Sequence, residues 1–160
     1  MTIQVGDRLP QATFMTPTPE GPAPISTDEV FKGKRVALFA VPGAFTPTCS
    51  AKHLPGFVQN ADKIKAQGVD TIACLSVNDA FVMDAWGKAQ NVGSKVMMLA
   101  DGNADFSKAV GLTMDGTGYG MGTRASRYAM VVDNGVVKKL NIEAPGAFEV
   151  SSTEAIMKAL

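Results

Sequence analysis

"RVALFAVPGAFTPTCS" (residues 35–50) decides the fold. Its first seven residues form a nearly continuous apolar run, the pattern of a strand covered on both faces in the middle of a parallel sheet. Pro42 and Gly43 then break the run, and Thr46-Pro47 is a helix-start signal. Threonine at the N-cap accepts from an unpaired amide, and proline at the first helical position gives up no needed donor. Downstream, Leu54, Phe57, Val58, Ala61 and Ile64 recur at three- and four-residue steps, predicting one amphipathic helix that closes near Gly68.

The same alternation continues outward. "VDTIACLSV" (69–77) is a second buried strand, and Asp79 opens a helix over 79–90. "KVMMLA" (95–100) repeats the strand and "ADFSKAVG" (104–111) the helix. The final third changes to two alternating strands, "RYAMVVDNGVVKKLNIE" (127–143), around Asn134-Gly135, a dipeptide suited to a tight hairpin, and ends in a capped helix within 151–160. Residues 1–34 are turn-rich, and "PTPEGPAP" (17–24) is too proline-dense for a helix or a central strand, so this segment is expected to wrap the surface. Together these elements predict one domain over residues 1–160, a thioredoxin-like α/β fold with a mixed central sheet flanked by helices.

Composition narrows the function. A chain of 160 residues with 46% hydrophobic and 19% charged residues can bury a sizeable core without disulfides or metal. Fifteen basic residues balance fifteen acidic ones, which argues against a nucleic-acid surface. "MTIQVGDRLP" (1–10) lacks a basic region followed by an apolar one, and no apolar run approaches the ~18 residues of a membrane span, so a soluble cytoplasmic protein is expected. Two cysteines 25 positions apart and one histidine supply too few ligands for a structural zinc site, and no other cofactor is expected. In a reducing compartment both thiols stay free.

Cys49 falls at the third helical position, where a capping box would carry Glu or Gln. Free amides and the positive end of the helix dipole favour thiolate over thiol there, and the position follows the carboxyl end of a parallel strand, where open α/β sheets keep their sites. Pro42, Thr46 and Cys49 together spell P-x-x-x-T-x-x-C. This motif, with "GAFTPTCSAKHLPGF", "CLSVNDAFVMDAWG" and "RYAMVV", resembles the peroxiredoxins of the type II, or five-like, subgroup from about residue 3 to the C-terminus. The resemblance implies that Cys49 is the peroxidatic nucleophile, that Thr46 hydrogen-bonds peroxide and sulfur, that Pro42 shields the site, and that Arg127 stabilises thiolate and transition state. It further implies a homodimer built from loops around the site, including the region of Phe45, Phe81 and Trp86. Thiolate supply alone raises reactivity only ~10-fold at neutral pH, so donors that align the O–O bond must provide the rest. The resemblance favours Arg127 for that work, since it directly precedes the "YAMVV" strand in the family's pattern, whereas Arg124 sits three positions back in a loop.

Relatives with an intramolecular disulfide carry a second cysteine near the C-terminus, where this chain has Ser151. A one-cysteine enzyme is therefore expected, reducing hydrogen peroxide and alkyl hydroperoxides and recycled by glutathione with glutaredoxin or, next, by thioredoxin. Two rival classes remain at this stage: a redox sensor that oxidises at Cys49, and a cysteine hydrolase pairing Cys49 with His53 one helical turn on. Cys74, inside an apolar strand, is expected to be inert, and "GTGYGMG" (116–122) reads as a flexible surface loop rather than a phosphate site.

Overall fold

The computed structural model describes residues 2–160. Three parallel strands form the middle of a seven-stranded sheet: β3 (Arg35–Ala40), β4 (Thr71–Ser76) and β5 (Met97–Ala100). On one side β8 (Tyr128–Asp133) runs antiparallel to β3, with β9 (Val136–Ile142) outside it. On the other side β1 (Thr13–Thr18) meets β5, and β2 (Gly21–Ser26) forms the edge. The order β2-β1-β5-β4-β3-β8-β9 is the mixed thioredoxin-like sheet expected from the sequence.

Alternate residues of each central strand feed two separate cores, because successive side chains leave a strand on opposite faces. Ala37, Phe39, Ile72, Cys74 and Met98 pack on one face with Leu54, Phe57, Ile64, Met83 and Trp86. Val36, Leu38, Ala73, Leu75 and Leu99 pack on the other with Phe14, Phe31, Phe106 and Val110. Each fully buried Leu, Ile or Phe contributes roughly 1.5–3 kcal/mol relative to exposure, which is why these strands lack polar alternation. On the helical side, α4 (Ala80–Ala89) is capped by Asp79, whose carboxylate accepts from Val82 N at 2.8 Å, and α6 (Thr153–Ala159) by Ser152. Asn134 and Gly135 take positive φ values of 50° and 81°, as a tight hairpin turn between β8 and β9 requires.

Two expectations need correction. Residues 1–34 do not merely wrap the surface: β1 and β2 form a hairpin that extends the sheet, and α1 (Thr27–Phe31) follows with a capping box in which Ser26 and Glu29 serve each other's amides. The prolines are tolerated because Pro22 and Pro24 lie two apart on the outermost strand, where a missing amide breaks no ladder. β1 itself pairs with β5 only at Met15 and Ala100, and the Thr16 hydroxyl donates to Met98 O at 2.9 Å beside that single bridge. Second, the amphipathic stripe is not one helix. Asn60 interrupts it, giving α2 (Leu54–Gln59) and α3 (Ala61–Ala66), although Leu54, Phe57, Ala61 and Ile64 are all buried. Residues 116–122 form a largely exposed surface loop, as expected. They cross between the strands of a small ribbon, β6 (Thr113–Asp115) and β7 (Thr123–Ala125), through a 3-10 turn. The remaining short helix is α5 (Asp105–Ala109).

Candidate active site

The chain leaves β3 at Val41, turns through Pro42–Thr46, and enters a helical segment at Pro47. Cys49 opens a π-helical turn, Cys49–His53, in which Leu54 N bonds back to Cys49 O, five residues earlier. Single π turns of this kind recur at functional sites, where the extra residue re-aims a side chain. Three part-buried hydrogen bonds hold the entry loop and the start of the helix. Asn78 Oδ1 accepts from Ala44 N at 3.0 Å and from the Ser76 hydroxyl at 2.6 Å, and Trp86 Nε1 donates to Ser50 Oγ at 3.0 Å. Phe45 adopts a left-handed φ of 64° to make the turn.

Cys49 and His53 are both fully buried, and Arg127 reaches both. Arg127 Nη2 donates to Cys49 Sγ at 3.0 Å, a short approach suited to a charge-assisted bond to sulfur. Arg127 Nη1 donates to His53 Nδ1 at 2.7 Å, and His53 Nε2 lies 2.9 Å from the Ser151 carbonyl. Guanidinium nitrogens cannot accept and a carbonyl cannot donate, so the imidazole is the neutral Nε2–H tautomer with its Nδ1 lone pair facing Arg127. Burial, reinforced by the Arg127 charge, lowers its pKa to about 3. Both ring nitrogens are thereby occupied, and neither is bonded to Cys49. The Cys–His hydrolase pairing fails on this geometry, since a general base needs a free lone pair on the nucleophile. Phe39, Phe57 and Phe148 surround the imidazole, and the Arg127 guanidinium stands 5.8 Å from the Phe148 ring centre.

The structure places the other sequence candidates around this pair. Thr46 precedes Pro47 as expected, but its side chain does not cap the helix: the hydroxyl donates to Gly43 O at 2.7 Å. That bond uses the hydroxyl's only proton and leaves the Thr46 lone pairs open. Pro42 is half-buried at the end of β3, and its carbonyl accepts from Arg124 Nη1 at 3.4 Å, so Arg124 braces the turn without reaching Cys49. Gly43 is closely packed there: a Cβ would stand 3.1 Å from both Arg124 Nη1 and the Thr46 methyl, so those neighbours would have to give by a few tenths of an ångström. Cys74 is fully buried, and burial pushes its thiol well up. Among the described residues no three His, Cys, Asp or Glu side chains converge as a metal site, and no helix is long and apolar enough to cross a membrane.

Sequence reasoning did not find Glu143 or Phe148, or the Ser151 carbonyl that holds His53. Their only signal lay in distant positions brought together by β9 and the turn after it.

A thioredoxin-like sheet carrying a guanidinium-held thiol at the start of a helix, just beyond a parallel strand, defines a redox-active thiol protein. The Redoxin family model matches residues 4–157. Peroxiredoxin-2E, chloroplastic, of Arabidopsis thaliana is 48% identical over 163 residues, covering 99% of this chain and 70% of that protein. Peroxiredoxin-2C of the same plant is 44% identical over 159 residues, covering 99% and 98%. Reduced Prx3 of Vibrio vulnificus, solved in complex with hydrogen peroxide, superposes with a TM-score of 0.95 at 57% identity, covering 99% of each chain. The chain belongs to the peroxiredoxin family and is a thiol peroxidase.

Proposed function

We propose that this protein reduces hydrogen peroxide and small alkyl hydroperoxides by a one-cysteine cycle at Cys49. The observation that carries the assignment is the 3.0 Å bond from Arg127 Nη2 to Cys49 Sγ. In the first step the Cys49 thiolate attacks the terminal peroxide oxygen. A sulfur–oxygen bond forms, the O–O bond breaks, and the leaving oxygen takes a proton to depart as water or alcohol, leaving sulfenic acid. Arg127 stabilises the thiolate and then the charge growing on the leaving oxygen. With its proton committed to Gly43 O, the Thr46 hydroxyl serves as acceptor for the peroxide O–H and orients the substrate, while Pro42 screens the turn from water.

An external thiol completes the cycle. It condenses with the sulfenic acid, releasing water, and a second thiol displaces Cys49 from the mixed disulfide. Two facts favour a reductant from outside: Ser151 occupies the position of the expected second thiol, and Cys74 is sealed in the core. Glutathione with glutaredoxin is the proposed reductant, with thioredoxin next. The free thiols suit a reducing compartment, and the cytoplasm is the proposed location. A homodimer is proposed through the face bearing Phe45 and Phe81, which are 55% and 72% exposed, whereas Trp86 is core.

The deciding experiment is steady-state peroxide consumption with glutathione alone, with glutathione plus glutaredoxin, and with thioredoxin plus its reductase. Turnover confined to the glutaredoxin arm is the expected result. Efficient turnover with thioredoxin alone would reverse the order of reductants, and a single oxidation without turnover in any arm would make the protein a sensor.

A further inference from the structure

Glu143 lies one residue beyond β9 and is 9% exposed. Its Oε2 accepts from three successive amides, Glu149, Val150 and Ser151, at 2.8, 2.9 and 2.8 Å, and from the Ser151 hydroxyl at 2.7 Å. Burial pushes this carboxyl up, but the donors outweigh it and hold it below the usual range. The main chain of the same residue is tied to the site from the other side, since Glu143 N donates to Arg127 O at 3.0 Å. One residue thus fixes both the strand start that carries Arg127 and the turn whose Ser151 carbonyl receives the His53 Nε2 proton.

We propose that Glu143 is a positioning residue for the Cys49 thiolate, acting through Ser151, His53 and Arg127; this rests on the peroxidase reading of Cys49. Holding the Ser151 carbonyl in place selects the Nε2–H tautomer of His53. That tautomer turns a lone pair toward Arg127 Nη1 and so aims Nη2 at sulfur. The other tautomer would set an N–H against the guanidinium N–H and a lone pair against the Ser151 carbonyl, so neither contact could be made. Four donors on one oxygen call for a carboxylate, whose charge-assisted bonds are about twice as strong as those of an amide.

His53 is the only histidine in the chain, so 15N-histidine labelling reports one imidazole without assignment. In the wild type a single Nε2–H tautomer should persist, unprotonated, from pH 5 to 8. Glu143→Ala should mix the tautomers, slow Cys49 alkylation, and slow sulfenic acid formation by about 10- to 100-fold. Glu143→Gln, which keeps an acceptor oxygen, should fall between. With His53→Leu in the background, Glu143→Ala should add little to the rate loss, because both act along one path.

An unchanged tautomer, alkylation profile and rate in Glu143→Ala would overturn the proposal, as would rate losses that simply add. If Glu143→Ala does not fold, Glu143→Gln gives the same tautomer and alkylation readouts and decides it. A wild-type protein inert to peroxide would refute the peroxidase reading, whereas the tautomer and alkylation readouts would still decide whether Glu143 positions the thiol.

Discussion

Arg127 meets Cys49 and His53 through two different nitrogens, a division of labour that lysine cannot reproduce because its ammonium is a point charge without a rigid fork. Arg127→Ala is expected to slow peroxide attack by about 100- to 1000-fold, the usual loss when a donor to developing charge is removed. Arg127→Lys should recover part of the rate, and stopped-flow measurement of sulfenic acid formation separates the two. Cys49→Ser should abolish peroxide-dependent thiol oxidation, whereas Cys74→Ser, altering a sealed strand residue, should retain it. The reverse pattern in a glutathione-coupled assay would mean that the nucleophile has been misassigned. Much of this was legible in the chain. Pro42, Thr46 and Cys49 lie within eight residues, so local pattern exposes them, and the start of the "YAMVV" strand marks Arg127. The use of the Thr46 proton was not legible, because a hydroxyl chooses its partner by tenths of an ångström.

The helical segment after the Pro42–Thr46 turn holds Cys49 with no exposed surface, yet in the proposed one-cysteine cycle its sulfur meets a reductant thiol from another molecule. That exchange requires the π-helical turn to open, and a π turn gives ground more readily than a regular helix because its backbone bonds are fewer and poorer. Hydrogen exchange at residues 48–53 is therefore expected to be slow in the reduced protein and at least several-fold faster once Cys49 carries glutathione. Equal protection in both forms would rule this opening out. The π turn escaped sequence reasoning because periodicity over one turn cannot distinguish five-residue from four-residue bonding. The hairpin of β1 and β2 escaped because proline counts against strands in general, although an edge strand can carry it. The Ser26–Glu29 capping box was present in "STDE" and could have been read.

At the scale of the whole molecule, buried His53 links the site to stability. In the unfolded chain its imidazole takes a proton near pH 6.5, and in the folded protein only near pH 3. Between these values the unfolded state binds the extra proton, so stability is fully present above pH 6.5 and falls toward pH 3, by at most about 5 kcal/mol. Glu143, held below its usual range, works in the same direction as pH falls. Asp101 opposes it, since burial raises its carboxyl and protonation relieves that burden. Urea midpoints should accordingly drop between pH 7 and pH 4, and His53→Phe should flatten the curve in that window; an equally steep curve in the variant would place the acid sensitivity elsewhere. Association belongs to this scale as well. Phe81→Glu is expected to weaken self-association at least about 10-fold in sedimentation, as a charge on an apolar interface should, and a wild-type chain that stays monomeric at micromolar concentration would remove the proposed dimer.

The sequence by itself determined the alternating strands and helices, the hairpin at Asn134-Gly135, the thiol at a helix start and the arginine that serves it. The first three follow from patterns within a few residues, where turn chemistry and burial periodicity act, and the arginine from the resemblance to the peroxiredoxins. Only the tertiary structure decided which hydrogen each site group gives and which lone pair it keeps. Arg127, His53, Ser151 and Glu143 are joined across 98 positions of chain by bonds between His53 and Ser151 and between Arg127 and its neighbours. Partners that far apart leave no periodic signal, because their meeting depends on where the sheet ends and how the turn after β9 folds back over it.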